Sequence, residues 1–158
     1  MRRRRGQSIL YVVLLIPTLM LILSLTVDMA QLQMQRVRLR YAVDLATLSG
    51  ATSVDKLYYG ESARLRLDPD AALATTRAYL AWNLAESLGS NQATAVAEAA
   101  EITVVNETPG IDPFTGMRLD RPSICARIRV PYRLNLLGFV GTIGTGRMTL
   151  ASNAQIRP

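Results

Sequence analysis

Hydrophobic and polar positions follow three different rhythms along this chain. From Gln7 to Val27, "QSILYVVLLIPTLMLILSLTV", no charged residue interrupts the run, and thirteen residues between Ile9 and Val27 are Leu, Ile or Val. At roughly −0.5 kcal/mol each on an insertion scale they contribute about −6 kcal/mol, which outweighs Pro17, Thr18, Ser24 and Thr26. About 20 apolar residues span the hydrocarbon core, so residues 7–27 are expected to form one transmembrane helix. Pro17 removes one backbone hydrogen bond and favours a kink there. A cleaved secretory signal fits less well. Its apolar region would be shorter, about 7–15 residues, and the nearest small-x-small site, Asp28-Met29-Ala30, carries a charge.

Past Asp28 the apolar positions recur every three or four residues, and neither Pro nor Gly intervenes before Gly50. One stripe is Ala30, Met34, Val37, Tyr41, Leu45 and Leu48. A second is Leu25, Met29, Leu32, Leu39, Val43 and Ala46, interrupted at Arg36. Two stripes predict a helix with a wide apolar face, stopped at Gly50. Residues 7–48 would form one rod about 60 Å long at 1.5 Å per residue. Residues 28–50 are its continuation outside the membrane, and their apolar face needs a partner: the chain's own domain or another subunit's helix. The first stripe is the candidate assembly seam.

The remainder, 51–158, changes rhythm again. Residues 52–67 are polar and mixed and read as a surface connection. Asp68-Pro69-Asp70 opens a helix, with Asp68 as N-cap and Pro69 at the first position. Leu73, Leu80, Leu84 and Leu88 line one side and Gly89 ends it; Tyr79 and Trp82 are expected to pack. Residues 90–100 fit a loop or a short helix. The period then falls to two. Ile102 and Val104 alternate with polar neighbours, and residues 106–122, with three prolines and two glycines, read as a long loop. From Ile124, Ala126, Ile128, Val130, Tyr132 and Leu134 alternate with Arg127, Arg129, Arg133 and Asn135. Pro131 places that strand at an edge or gives it a bulge. Glycines 138, 141, 144 and 146 read as a flexible connection to a last strand with Met148, Leu150, Ala154 and Ile156 inward. The expected fold class is α+β: a long N-terminal transmembrane helix continuing outside the membrane, then a small extracytoplasmic domain. That domain would hold one helix and about three antiparallel strands, with the arginine strand face in solvent.

Charge sets the orientation. The formal net charge is +6, but Arg2, Arg3, Arg4 and Arg5 supply four of the positive charges. The rest of the chain carries fourteen basic and twelve acidic residues, an ordinary solvated surface rather than a nucleic-acid footprint. By the positive-inside rule the arginine tail, residues 1–6, lies in the cytoplasm and 51–158 outside it. The tail also contacts anionic lipid.

Candidate chemistry is sparse. Without histidine the commonest general base and metal ligand are absent. A single cysteine, Cys125, permits neither an intrachain disulfide nor a cysteine metal site, and its strand-like surroundings predict burial. Lys56 is the only lysine. The run Gly138 to Arg147 lacks both phosphate-loop patterns, and Asp112 and Asp120 lack calcium-loop spacing. No catalytic constellation, cofactor or small-molecule substrate is expected. Asn106-Glu107-Thr108 matches a glycosylation sequon, weakened by the Pro109 that follows. Arg127, Arg129 and Arg133 allow an alternative function, a tethered module holding an anionic surface polymer. Cross-strand pairing with Glu101 and Glu107 is the simpler account.

The N-terminal third resembles the TadE/TadG-like pilus-assembly proteins of the tight-adherence (Flp) system. The carrying residues are the arginine tail into Gly6-Gln7-Ser8, Leu15-Ile16-Pro17, Leu25-Thr26-Val27-Asp28 and "RVRLRYAVDLATLSGA" from Arg36 to Ala51. The resemblance implies a non-enzymatic, pilin-like subunit anchored by one helix in the bacterial inner membrane. Its partners would be other pilus-assembly subunits, further copies of itself among them. It also marks Gly6-Gln7 as a possible processing site. Family members that look like prepilins have a glutamate at the fifth position after that glycine. Here Tyr11 stands there, which favours the TadG-like branch.

Overall fold

Apolar run and amphipathic stretch form one uninterrupted helix. In the computed structural model, which describes residues 4–133 and 145–156 (backbone only for 4–10, Arg133 and Thr145), α1 runs Arg4–Gly50 over 47 residues. Arg2 and Arg3 lie outside the described residues. Arg4, Arg5, Gly6 and Gln7 are within α1. The rest of the order is α2 Lys56–Ser62, α3 Pro69–Leu88, α4 Ser90–Glu98, β1 Glu101–Val105, β2 Gly110–Ile111, β3 Arg118–Leu119, β4 Ser123–Arg133 and β5 Thr145–Gln155. The chain divides into two compact units, Met1–Met34 with Pro131–Gly146 and Gln35–Val130 with Arg147–Pro158.

In the first unit α1 is apolar and almost wholly exposed, with a mean hydropathy of 2.3 over its most apolar window. It is long and apolar enough to cross a membrane. Pro17 sits inside it. Thr18 and Thr26 return their hydroxyls to the carbonyls of Leu14 and Ile22, each at 2.9 Å, so neither is left unsatisfied in an apolar stretch. Asp28 closes the run and is buried. Gly146 is not part of the glycine connection but lies in β5. A Cβ there would come within 2.6 Å of the Tyr132 ring, so only glycine fits. Gly138, Gly141 and Gly144 lie outside the described residues, as do Leu134 and Asn135.

The second unit is α+β. A three-stranded sheet has the order β1-β4-β5. β1 and β4 are antiparallel from Glu101↔Arg127 to Val105↔Ser123. β4 is therefore central rather than an edge strand. Pro131 is tolerated because β1 stops at Arg127 and claims no amide beyond it. Helices cover one sheet face. Leu39, Ala42, Val43 and Ala46 of α1, Leu80 and Leu84 of α3 and three small residues of α4 close on Ala126, Ile128, Val130 and Leu150. A second cluster gathers Ala51, Leu67, Ala72, Ile124, Ala154 and Ile156. At about 25 cal/mol per Å² of apolar surface, these inward stripes dominate the stability of the unit.

Several expectations need correction. Among the described residues three helices follow α1, not one. The 52–67 stretch contains α2, capped by Asp55, whose carboxylate accepts from the Tyr58 amide at 3.0 Å. Residues 90–100 form α4. The 106–122 loop contains a short hairpin, β2 with β3. Asp68 does cap α3, accepting from the amides of Asp70 at 3.1 Å and Ala71 at 3.2 Å. The sequon is occupied by structure, because the Asn106 amide accepts from Leu67 N–H at 2.9 Å and donates to its carbonyl at 3.0 Å.

A candidate assembly face on the first helix

The two stripes of α1 separate only over its later half, since Leu25 and Met29 of the second stripe are exposed. Leu39, Val43 and Ala46 go into the core. Ala30, Met34, Val37, Tyr41, Leu45 and Leu48 are all exposed, with Val37 at 65% and Tyr41 at 66%. Helical geometry explains the division, since residues three and four apart share a side and the two stripes are offset by about half a turn. Only one stripe can face the chain's own domain.

In the second unit the exposed ridge of α1 runs between two clefts. On one side α3 forms the opposite wall of a groove of about 690 Å³ lined by Val37, Tyr41, Leu45, Trp82 and Glu86. On the other side Arg40, Asp44 and Leu48 face Met117, Ser152 and Asn153 across about 540 Å³. Trp82 is 73% exposed and its ring lies 6.0 Å from that of Tyr79. The expected packing of these aromatics is on each other and not into the core. They form a pair on the outer side of α3, opposite the buried Leu80 and Leu84. The step of three and four through Tyr79, Trp82 and Glu86 was the signal that could have revealed this second stripe.

Close approach of α1 and α3 rests on Gly50. A Cβ at that position would collide with Thr76 Oγ1 and lie 3.1 Å from the Ala72 carbonyl. Gly50 is thus more than a helix stop. Asn83 reaches across from α3 to the Ala42 carbonyl at 3.5 Å.

Charges around the ridge are mostly basic. Arg40 and Asp44 approach to 3.9 Å in an exposed i,i+4 pair, which contributes a few tenths of a kcal/mol. Arg38 and Glu86 line the groove without an ion pair to any described residue.

On the arginine strand face Arg129 is exposed and Arg127 half-buried, and the expected cross-strand pairing forms with Glu101. Glu101 takes Arg127 and also Arg129, the latter at 3.1 Å. Hydrogen bonding from Arg127 is the main reason its carboxyl lies below the usual range. The Phe114 ring lies 4.8 Å from the Arg127 guanidinium. Beside it the β2–β3 hairpin is pinned by Asp112. Burial raises this carboxyl, but hydrogen bonds from Thr115, the Phe114 amide and Asn153 outweigh burial and hold it below its ordinary value. The distances are 2.5, 2.8 and 2.7 Å. Cys125 is buried as expected, and burial first, then the nearby Asp112, pushes its thiol up to about 12. A thiol held protonated is a poor nucleophile. Among the described residues no acidic or cysteine cluster could hold a metal ion.

Residues 6–53 match the family of putative Flp pilus-assembly TadE/G-like proteins. No curated protein and no solved structure matches the chain. The matched stretch is α1 from Gly6 onward with the turn that follows it, so it contains the whole exposed ridge. The matched family is one of pilus assembly, which suggests a role in Flp pilus assembly and interaction with its other components. Together with one helix long and apolar enough to cross a membrane, it points to a membrane-anchored protein.

Proposed function

We propose that the chain is a single-pass, pilin-like structural component of an Flp pilus-assembly machine, of the TadG-like branch and without enzymatic activity. The arginine tail stays in the cytoplasm, α1 crosses the inner membrane, and the α+β unit stands outside. Tyr11, in place of a glutamate after Gly6, favours retention of the tail. The carrying observation is the exposed stripe of α1, from Ala30 to Leu48, inside the family-matched stretch. An exposed apolar ridge of this kind marks a contact surface for another subunit. Seating on anionic polymer through Arg127, Arg129 and Arg133 has weaker support, because Glu101 compensates two of the three.

The test replaces Val37 or Tyr41 by Asp. A carboxylate pressed into an apolar contact costs more than the 1.4 kcal/mol that makes a tenfold change. Recovery of pilus-assembly components with the tagged chain should therefore fall by at least ~10-fold, with membrane insertion intact. Undiminished recovery with both variants would refute the assembly face.

A further inference from the structure

The groove and the ridge lie side by side on one surface of the second unit. We propose that the groove between α1 and α3 receives the Val37–Tyr41–Leu45 ridge of a second copy of this chain. The proposal rests on the anchored, one-helix reading above and names the partner of the same face.

Shape is the first argument. Val37, Tyr41 and Leu45 are spaced by four, the row that forms a raised ridge on a helix and interdigitates with the grooves of a neighbour. Clefts on both sides leave this ridge standing free. A surface that offers a ridge and, next to it, a groove is complementary to a copy of itself, the condition for self-association through one face.

Charge is the second. Glu86 on the α3 wall is a carboxylate without an ion-pair partner among the described residues. The ridge is flanked by Arg38 on the groove side and Arg40 on the other. Glu86 is exposed and Arg38 of its own chain lines the same groove. A helix that brings a further cation is therefore favoured there, and the ridge of a second copy carries one on either flank. A copy seated there also covers Trp82, whose amphipathic ring suits the centre of such a contact.

Area decides whether this suffices. Tyr41 and Trp82, each about two-thirds exposed or more, together with Val37 and Leu45 would bury roughly 400 Å² per copy. A stable soluble pair buries about 800 Å² per partner. Confinement in one membrane supplies the difference, because two anchored copies meet at a raised effective concentration with their α1 helices already parallel.

The experiment co-expresses two differently tagged full-length copies and measures their co-isolation after mild solubilisation. Glu86→Arg in both copies should reduce it at least ~10-fold, as should Arg38→Glu with Arg40→Glu in both. Mixing a Glu86→Arg copy with an Arg38→Glu, Arg40→Glu copy should restore it, since each groove then meets a ridge of opposite charge. Co-isolation unchanged by either variant, or lost without rescue in the mixture, overturns the pairing. Capture of other pilus-assembly components with no second copy overturns it too, while leaving the assembly role standing. Paired copies with pilus assembly unaffected by Tyr41→Asp would uphold the contact and remove the role.

Discussion

Gly50→Ala separates two effects of opposite sign. Helix propensity favours alanine by up to about 1 kcal/mol, less at a helix end. Packing opposes it. A Cβ at Gly50 collides with Thr76 Oγ1, meets Ile124 Cδ1 at 3.0 Å and the Ala72 carbonyl at 3.1 Å. That carbonyl belongs to α3 and cannot swing away. Moving Thr76 breaks its 2.8 Å hydrogen bond to the same carbonyl, a loss of about 1 kcal/mol. Overpacking adds roughly 1–3 kcal/mol. The net expectation is a destabilisation of about 1–3 kcal/mol after propensity is subtracted. Gly60 in α2 is the control: a Cβ there meets nothing within 4 Å, so Gly60→Ala should stabilise by a few tenths to about 1 kcal/mol. Cys125 provides the assay. It is the only cysteine, is buried, and its thiol is pushed up to about 12, so alkylation requires opening of the fold. Its labelling rate in the full-length, detergent-solubilised chain along a urea series reports stability at one site. Gly50→Ala as protected as the parent protein would refute the close approach of α1 and α3.

Two further outcomes follow from the same geometry. Val43→Ala, at a fully buried position, should cost about 2 kcal/mol from lost transfer energy and a cavity, whereas Val37→Ala should change stability by less than ~0.5 kcal/mol; equal losses in Cys125 protection would contradict the division of the two stripes. Asp112 has a depressed folded-state pKa, so its contribution is complete above the unfolded carboxyl value near ~3.9 and is lost as pH falls through the lower folded value. Protection of Cys125 should therefore weaken below about pH 4, and Asp112→Asn should remove that part of the acid dependence; an identical acid profile in the variant would show that other carboxyls carry it.

Linear periodicity was enough for the long helix, because α1 is dictated by local apolar spacing and by the absence of Pro and Gly between Asp28 and Gly50. The Asp68 cap was legible for the same reason, since its partners lie two and three residues away. Strand positions 124–130 were legible from alternation. The short elements were not. In α2, seven residues with none buried carry no periodic stripe, and β2 and β3, two residues each, exist through the tertiary anchor of Asp112 to Asn153.

Apolar spacing alone shows that α1 carries two stripes whose face needs a partner, in the chain's own domain or in another subunit. Which stripe faces inward was decided by the sheet and α3: Leu39, Val43 and Ala46 meet β4 and Leu80, and Gly50 lets the helices close. Their packing turned Tyr41 and Trp82 outward together, from positions 41 residues apart. A groove with Glu86 on one wall and Arg38 on the other is a product of that packing, because its walls come from different helices and no local rule relates them.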